Sequence, residues 1–153
     1  MKRRHIKACN AITAASEPWK TLNERVDFLP YLTLKQAYVC VIGDVAAGFI
    51  LFTAEPVFAR GGYVRAVGVD PEMRRQGIGR KLLAFAESCI ARRSPNVYLC
   101  VSSFNRQGQA FYKGLGYTQV GKLPGLIVPD ASEFIFWKRL TTRKSADLPR
   151  TQE

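Results

Sequence analysis

The stretch VGVDPEMRRQGIGRKLL, residues 67–83, decides the fold of this chain. A valine-rich strand end runs into Pro71, which breaks the strand, and Gly77 and Gly79 then precede an amphipathic segment. A strand that passes into a helix through such a turn is typical of a mixed α/β domain. The stretch therefore predicts a strand, a glycine-containing turn and a helix in immediate succession.

The same turn has the features of an anion-binding site. The first four backbone N–H groups of a helix lack partners within it, and the helix dipole adds partial positive charge at that end. Gly77 and Gly79 leave these N–H groups uncovered, and Arg74 and Arg75 supply full positive charges beside them. The spacing matches neither G-x-x-x-x-G-K-[ST] nor G-x-G-x-x-G. Taken alone, the residues fit a plain turn with solvated arginines equally well.

Downstream of the turn, the pattern predicts two helices and three strands. Apolar residues at helical spacing predict a helix with one face on a sheet. They are Ile78, Leu82, Phe85, Ala86, Cys89 and Ile90. Residues 96–101 predict a strand, and NRQGQAFYKGLGY (105–117) predicts a second helix that ends at a left-handed Gly116. The pattern finally predicts an antiparallel pair of strands over residues 117–123 and 132–140.

Upstream of residue 67, residues 4–9 predict a short first strand. Residues 16–29 carry apolar side chains at helical spacing, and Pro30 is expected to interrupt them, giving one broken helix or two short ones. Residues 37–55 predict a hairpin with a tight turn at Gly43-Asp44. Together these elements predict an α/β fold, with a mixed, mostly antiparallel sheet of six to seven strands flanked by about four helices.

The composition bounds the class of protein. We assign residues 1–141 to a single domain and expect the basic tail, 142–153, to be disordered. The net charge of +11 favours an anionic partner, although much of it lies at the two ends. Four widely spaced cysteines without a C-x-x-C pair argue against a zinc site and a disulfide scaffold. With no apolar run near the roughly 20 residues that span a bilayer, we expect a cytoplasmic protein without a metal or a membrane partner.

Two motifs together resemble a known family. VGVDPEMRRQGIGRKLL is similar to the coenzyme-binding motif of the GNAT superfamily of acyl-CoA-dependent N-acyltransferases, [Q/R]-x-x-G-x-[G/A] after a strand and before a long helix. NRQGQAFYKGLGY resembles the N-x-x-(A)-x-x-(F/Y)-Y-x-x-x-G-(F/Y) segment of the same family, and it lies at the expected distance downstream. The likeness covers roughly residues 36–140, so it implies a single GNAT-like domain.

The resemblance implies an enzyme that moves the acetyl group of acetyl-CoA to an amine. Residues 74–80 would hold the pyrophosphate of acetyl-CoA, residues 67–69 would offer strand-edge groups to its pantetheine arm, and Tyr112 would protonate the departing thiolate. The residues implied to contact the coenzyme are Val67, Gly68, Val69, Arg74, Arg75, Gln76, Gly77, Ile78, Gly79, Arg80, Asn105, Phe111 and Tyr112. Entry of the pantetheine arm requires the two flanking strands to diverge, and a bulge near Val69 or Cys100 would achieve this.

The acceptor site and the general base are less determined. Trp19, Tyr31 and Arg65 are candidate contacts of the acceptor, and Arg65 would suit an acceptor that bears a carboxylate or phosphate. The strand before the turn contains no carboxylate, so the base is left unassigned, with Glu55 as a possible substitute through a water molecule. No cysteine lies at the motif, which favours direct transfer in a ternary complex.

Two other functions stay open at this point. A GNAT-like fold could bind acyl-CoA as a sensor without catalysis. A nucleic-acid-binding module would use the positive charge, but the sequence lacks a recognition motif for nucleic acid. The final strands also offer edges through which the chain could form a homodimer.

Overall fold

A six-stranded mixed sheet forms the centre of the computed structural model, which describes residues 1–141. The expected disordered tail, 142–153, lies outside the described residues. The sheet order is β1-β2-β3-β4-β6-β5, and all neighbours are antiparallel except β3 and β4. The strands are β1 (Ala37–Ile42), β2 (Val45–Phe58), β3 (Gly61–Val69), β4 (Asn96–Ser102), β5 (Thr118–Pro124) and β6 (Ser132–Arg139). The predicted mixed, mostly antiparallel sheet is confirmed.

Five α-helices flank the sheet, where the sequence predicted about four. They are α1 (Ile6–Ala14), α2 (Trp19–Leu22), α3 (Leu29–Thr33), α4 (Ile78–Ile90) and α5 (Arg106–Gly114). Short 3₁₀ turns occur at Arg3–His5 and Pro71–Met73. Within residues 1–141, none of the helices has the length and hydropathy needed to cross a bilayer.

The predicted first strand over residues 4–9 is wrong, because this part of the chain forms the 3₁₀ turn and the start of α1. The buried residues of α1 are Cys9, Ile12 and Thr13, and this spacing of three to four residues puts them on one helical face. Four alanines between residues 8 and 15 also favour a helix. This face packs in an apolar cluster, and the helix satisfies its backbone hydrogen bonds internally, so no pairing with another strand is needed.

The segment after α1 forms two short helices, which was one of the two predicted outcomes. The break comes at Asn23, which adopts a left-handed conformation with φ 51° and ends α2. Pro30 does not interrupt a helix, since it lies in the first turn of α3, where its missing N–H costs nothing.

Apolar layers cover both faces of the sheet. On one face, α4 packs Leu83, Ala86 and Ile90 against strand residues such as Ile50 and Leu99. On the other face, α1 and the segment after it cover residues that include Phe49. This explains why residues 46–52 form a continuous apolar run, since β2 is buried on both sides.

Strands β3 and β4 pair over only three residues and then diverge. The pairing joins Gly62–Val64 to Val97–Leu99, and no pairing continues from Arg65 to Val69. The predicted divergence is confirmed, but the associated irregularity is not near Val69 or Cys100. It lies in β3 against β2, where Leu51 pairs with Ala66 and Phe52 with Val64, so Arg65 is the extra residue of the bulge.

Candidate active site

A cavity of about 850 Å³ fills the space between the diverging strands. It runs from the N-terminus of α4, along the open edge of β3 and past α5, to the segment that contains α2 and α3. Of the residues that the sequence predicted to contact the coenzyme or the acceptor, all line this cavity except Gln76. The cavity also brings together two widely separated parts of the chain, residues 15–31 and residues 100–133.

The N-terminus of α4 forms the cationic end of the cavity. Gly77 adopts φ 77° just before the helix, and Arg75 adopts φ 62° two residues earlier. A left-handed conformation costs a residue with a side chain roughly 1–2 kcal/mol, and strain of this kind is concentrated at ligand sites. The first turn of α4, whose N–H groups lack partners within the helix, lines the same end of the cavity as Arg74, Arg75 and Arg80.

Arg74 has a second contact that the sequence did not indicate. Its Nη2 donates a hydrogen bond of 2.8 Å to Oγ of Ser16, and its Nε donates one of 3.4 Å to the carbonyl of Val69. Ser16 is buried between α1 and α2 and does not cap a helix with its side chain. Arg74 therefore joins the loop before α4 to the α1–α2 segment, and Arg75 and Arg80 remain as exposed cations.

Gly79 serves helix packing more than it serves access to the backbone. A Cβ at this position would lie 3.3 Å from Cζ of Phe111 and 3.5 Å from Cγ2 of Val69. The glycine therefore lets α4 approach both α5 and β3 closely. At Gly77, by contrast, nothing lies within 4 Å of a Cβ, so its requirement is purely conformational.

Asn105 is the N-cap of α5. Its Oδ1 accepts a hydrogen bond of 2.9 Å from the backbone N–H of Gly108. Because the cap uses only the oxygen, the Nδ2 group of Asn105 remains available as a donor in the cavity.

Tyr112 lies on α5 at the middle of the cavity. Its ring packs against Phe111, Tyr117 and Phe136, with centroid distances of 5.1, 5.7 and 6.5 Å. Burial raises the pKa of Tyr112 well above its ordinary value, so the phenol keeps its proton at neutral pH. Within residues 1–141 its hydroxyl has no hydrogen-bond partner, which leaves it free to donate to a molecule in the cavity.

The far end of the cavity contains the three residues predicted to contact an acceptor. Trp19 is almost wholly buried and packs against Phe49, while Tyr31 is partly buried. Arg65, the bulge residue, lies beside Tyr31, Tyr63 and Glu24. The pKa of Arg65 is raised, because these neighbours outweigh the burial that acts against its charge. The structure therefore brings the predicted residues together, although Arg65 is already partly compensated.

The far end of the cavity also contains a buried carboxylate that the sequence did not indicate. Glu133 of β6 is 6 % exposed, and it lies opposite Ser102 of β4. Burial raises the pKa of Glu133, and the charge of Glu24 adds to this, whereas the Ser102 hydroxyl and Arg65 act in the opposite direction. Only the pairing of β4 with β6 brings Glu133 here, and no local pattern indicated that register.

Glu55 lies outside the cavity. Its carboxylate is 3.4 Å from Nε of Arg93, and both side chains are largely exposed. The structure thus gives no support to Glu55 as a base. No group of three or more histidine, cysteine or acidic residues suited to a metal ion occurs within residues 1–141.

Comparisons with known proteins agree on one family. The family described as "Acetyltransferase (GNAT) family" matches residues 7–117. The peptidyl-lysine N-acetyltransferase YjaB of Salmonella typhimurium is 33% identical over 97 residues, which are 63% of this chain and 57% of that relative. The match therefore spans less than two thirds of that relative's length.

Solved structures share the fold. Ard1 from Thermoplasma volcanium superposes with a TM-score of 0.75 at 22% identity, covering 92% of this chain and 95% of that chain. An aminoglycoside 6′-N-acetyltransferase complexed with coenzyme A gives a TM-score of 0.71 at 19% identity, with 94% of each chain covered. With the family match extending over most of the domain, these findings show that the chain belongs to the GNAT family of acetyltransferases.

Proposed function

We propose that this chain transfers the acetyl group of acetyl-CoA to a primary amine, directly and within one ternary complex. One observation carries the proposal: a single cavity joins a cationic helix N-terminus, an open strand edge, a protonated tyrosine and an end lined by carboxylates. These are the parts needed for a phosphate-bearing donor, its amide-rich arm, a leaving thiolate and a cationic acceptor. The coenzyme A complex of a structural neighbour supports the choice of donor.

The donor would be held mainly by backbone groups. The N–H groups at residues 77–80 and the side chains of Arg75 and Arg80 bind the pyrophosphate. The unpaired edge of β3 at Val67–Val69 binds the pantetheine amides as a further strand would, and Nδ2 of Asn105 donates from the opposite side. This arrangement sets the thioester between β3 and Tyr112.

Catalysis would arise from position and from proton transfer. Holding an amine and a thioester in contact makes the reaction effectively unimolecular. A backbone N–H group of the β3 edge polarises the thioester carbonyl. Tyr112 gives its proton to the coenzyme A thiolate as the carbon–sulfur bond breaks.

Cys100 requires a separate test, because it lines the cavity even though no cysteine lies in the sequence motif. Burial raises the pKa of the Cys100 thiol, which disfavours the thiolate needed for a covalent acyl-enzyme. We expect Cys100→Ala to retain turnover with single-step kinetics. Loss of turnover together with an acetylated Cys100 in the wild-type protein would contradict direct transfer.

The experiment that tests the function has two stages. At a hundredfold excess over its Kd, acetyl-CoA stabilises a binding protein by about 2.7 kcal/mol, which corresponds to roughly 5–10 °C in Tm for a domain of this size. Thiol release is then measured with small amines, amino acids, peptide N-termini and lysine peptides. Stabilisation without thiol release would favour a sensor, and the absence of stabilisation would contradict the proposal.

The acceptor class, the compartment and the oligomeric state belong to the same proposal. The relatives act on lysine side chains of peptides and on an aminoglycoside, by their names, so the panel spans both. All four cysteines are free, which fits a reducing cytoplasm. Strand β5 is an edge of the sheet with Val120 exposed, and it is the edge through which we expect any homodimer to form.

A further inference from the structure

Four acidic residues line the acceptor end of the cavity, and only one of them is both buried and free. Glu17 accepts hydrogen bonds from Thr21, and Asp27 accepts one from the N–H of Leu29, so both support local turns. Glu24 is exposed. Glu133 is 6 % exposed and makes no salt bridge within residues 1–141.

The buried carboxylate of Glu133 lies beside a buried hydroxyl. Ser102 is 1 % exposed, and its Oγ lies near enough to Glu133 to lower the pKa of that carboxyl, although it makes no hydrogen bond of normal geometry to any described residue. Ser102 and Glu133 are directly opposite in the β4–β6 ladder, so their side chains share one face of the sheet. Buried polar groups normally find partners. A buried carboxylate without an ion pair, with only a hydroxyl beside it and both in the cavity wall, therefore points to a cationic group that binds there.

We propose that Glu133 is the general base of the reaction, taking a proton from the ammonium group of the acceptor. This inference rests on the proposed acetyltransferase function. The acceptor amine would enter protonated, since a cation is attracted to Glu133 and Glu24, and the Ser102 hydroxyl would accept a second N–H. Glu133 lies on β6, whereas the tyrosine that acts as acid lies on α5, so acid and base approach the thioester from different elements.

The protons balance in four transfers. The ammonium gives one proton to Glu133, and the neutral amine attacks the thioester carbonyl carbon to form the carbon–nitrogen bond. As the carbon–sulfur bond breaks, the thiolate takes the proton of Tyr112, and the nitrogen loses its second proton to the Tyr112 phenolate. Glu133 finally releases its proton to solvent, so the products are an amide, coenzyme A and one proton.

The groups that face Glu133 set the range of pH in which it works. Burial and Glu24 make its carboxylate more basic than an exposed one, and Ser102 and Arg65 limit the effect. Tyr63 and Cys100 also face this site, and burial raises the pKa of both, so they stay neutral at pH 7. The rate should therefore fall on the acid side as Glu133 takes up a proton. Above that range it should stay level until the pH approaches the pKa of the acceptor ammonium, where the acceptor loses its proton in solution.

The test compares Glu133→Gln with Glu55→Gln, a strand carboxylate outside the cavity. With the best acceptor of the panel at pH 7, E133Q should lower kcat about 100-fold without changing the Kd of acetyl-CoA, and E55Q should match the wild type. The rate of E133Q should then rise about tenfold per pH unit toward the pKa of the amine, because only the free amine reacts. Glu133→Asp should restore the level profile at reduced kcat.

The thermal stability of E133Q separates a role of Glu133 as base from a purely structural role. The pKa of Glu133 is raised in the folded state, so ionisation of Glu133 opposes folding above its ordinary pKa. E133Q should therefore keep or raise the Tm at pH 7. A lower Tm, or an unchanged kcat and pH profile, would overturn the assignment and leave the transferase standing. A wild-type protein that binds acetyl-CoA but acetylates no amine would overturn both.

Discussion

At the scale of single residues, Tyr112 of α5 lines the cavity. Packing against three aromatic rings fixes its ring, and burial favours its neutral form. Its hydroxyl lines the cavity without a hydrogen-bond partner among residues 1–141, so it can donate to a bound molecule. The role of Tyr112 as proton donor remains a prediction, and substitution by phenylalanine tests it.

We expect Tyr112→Phe to lower kcat about 100-fold, because loss of a positioned acid costs that order of magnitude. The Kd of acetyl-CoA should stay within twofold, measured by calorimetry, since the ring and its packing are retained. Since burial raises the pKa of Tyr112, the wild-type rate should not decline through ionisation of this phenol up to about pH 10.

Tyr117→Phe is the matched control for this change. Tyr117 packs against Tyr112, but its hydroxyl donates to Glu87 at 2.9 Å and lies outside the cavity. Its removal should lower the Tm and leave kcat unchanged. Equal effects of the two substitutions on kcat would contradict the assignment of Tyr112.

Alanine substitutions at Arg74 and Arg75 should have different effects on stability, although the two residues are neighbours in sequence. Arg74→Ala removes the hydrogen bond to buried Ser16, which should destabilise the fold by about 1 kcal/mol and lower the Tm by about 2–4 °C. Arg75→Ala should weaken acetyl-CoA binding without this loss of stability, since the Arg75 side chain makes no hydrogen bond within residues 1–141. Thermal melts of the two variants without ligand would decide this, and equal Tm values would count against it.

At the scale of elements, the turn before α4 should depend on one backbone conformation. We expect Gly77→Ala to cost roughly 1–2 kcal/mol, because a side chain disfavours φ 77°. It should also weaken acetyl-CoA binding at least tenfold, since a relaxed turn redirects the N–H groups of the helix N-terminus. Chemical denaturation and calorimetry measure the two effects separately.

Gly43→Ala provides the control. Gly43 has φ 58° in the β1–β2 turn, and nothing lies within 4 Å of its Cβ position, as at Gly77. The Gly43→Ala substitution should destabilise the fold by an amount similar to that of Gly77→Ala and leave the affinity for acetyl-CoA unchanged. An equal loss of affinity in both variants would show that the effect at Gly77 is general destabilisation.

The elements also explain which predictions from the sequence were correct. The turn at residues 74–79, the helix after it and the helix that begins near Asn105 follow from local chemistry, and the structure contains all three. Residues 4–9 failed because a few apolar residues fit either period, and tertiary packing decided for a helix. Glu133 could not be predicted, since its position depends on pairing with a strand some thirty residues away in sequence.

At the scale of the whole molecule, the two halves of the site have different origins. The half that we propose for the donor is one continuous strand–turn–helix unit, so the sequence indicated it directly. The half that we propose for the acceptor is assembled from the segment after α1, the bulge of β3 and strand β6. Its residues lie far apart in sequence and meet only in the folded domain. For this reason the identity of the acceptor has to come from a screen.

The net charge of +11 gives the last prediction. If arginines and the helix N-terminus hold the phosphates of acetyl-CoA, salt should weaken binding, because the Debye length shrinks from about 10 Å at 0.1 M to about 3 Å at 1 M. We expect the Kd of acetyl-CoA to rise about tenfold over this range. S-acetylpantetheine, which lacks the phosphates, should bind weakly and change less than twofold, as measured by thermal shift. Equal salt sensitivity of the two ligands would mean that general screening, and not the cationic end of the cavity, controls the affinity.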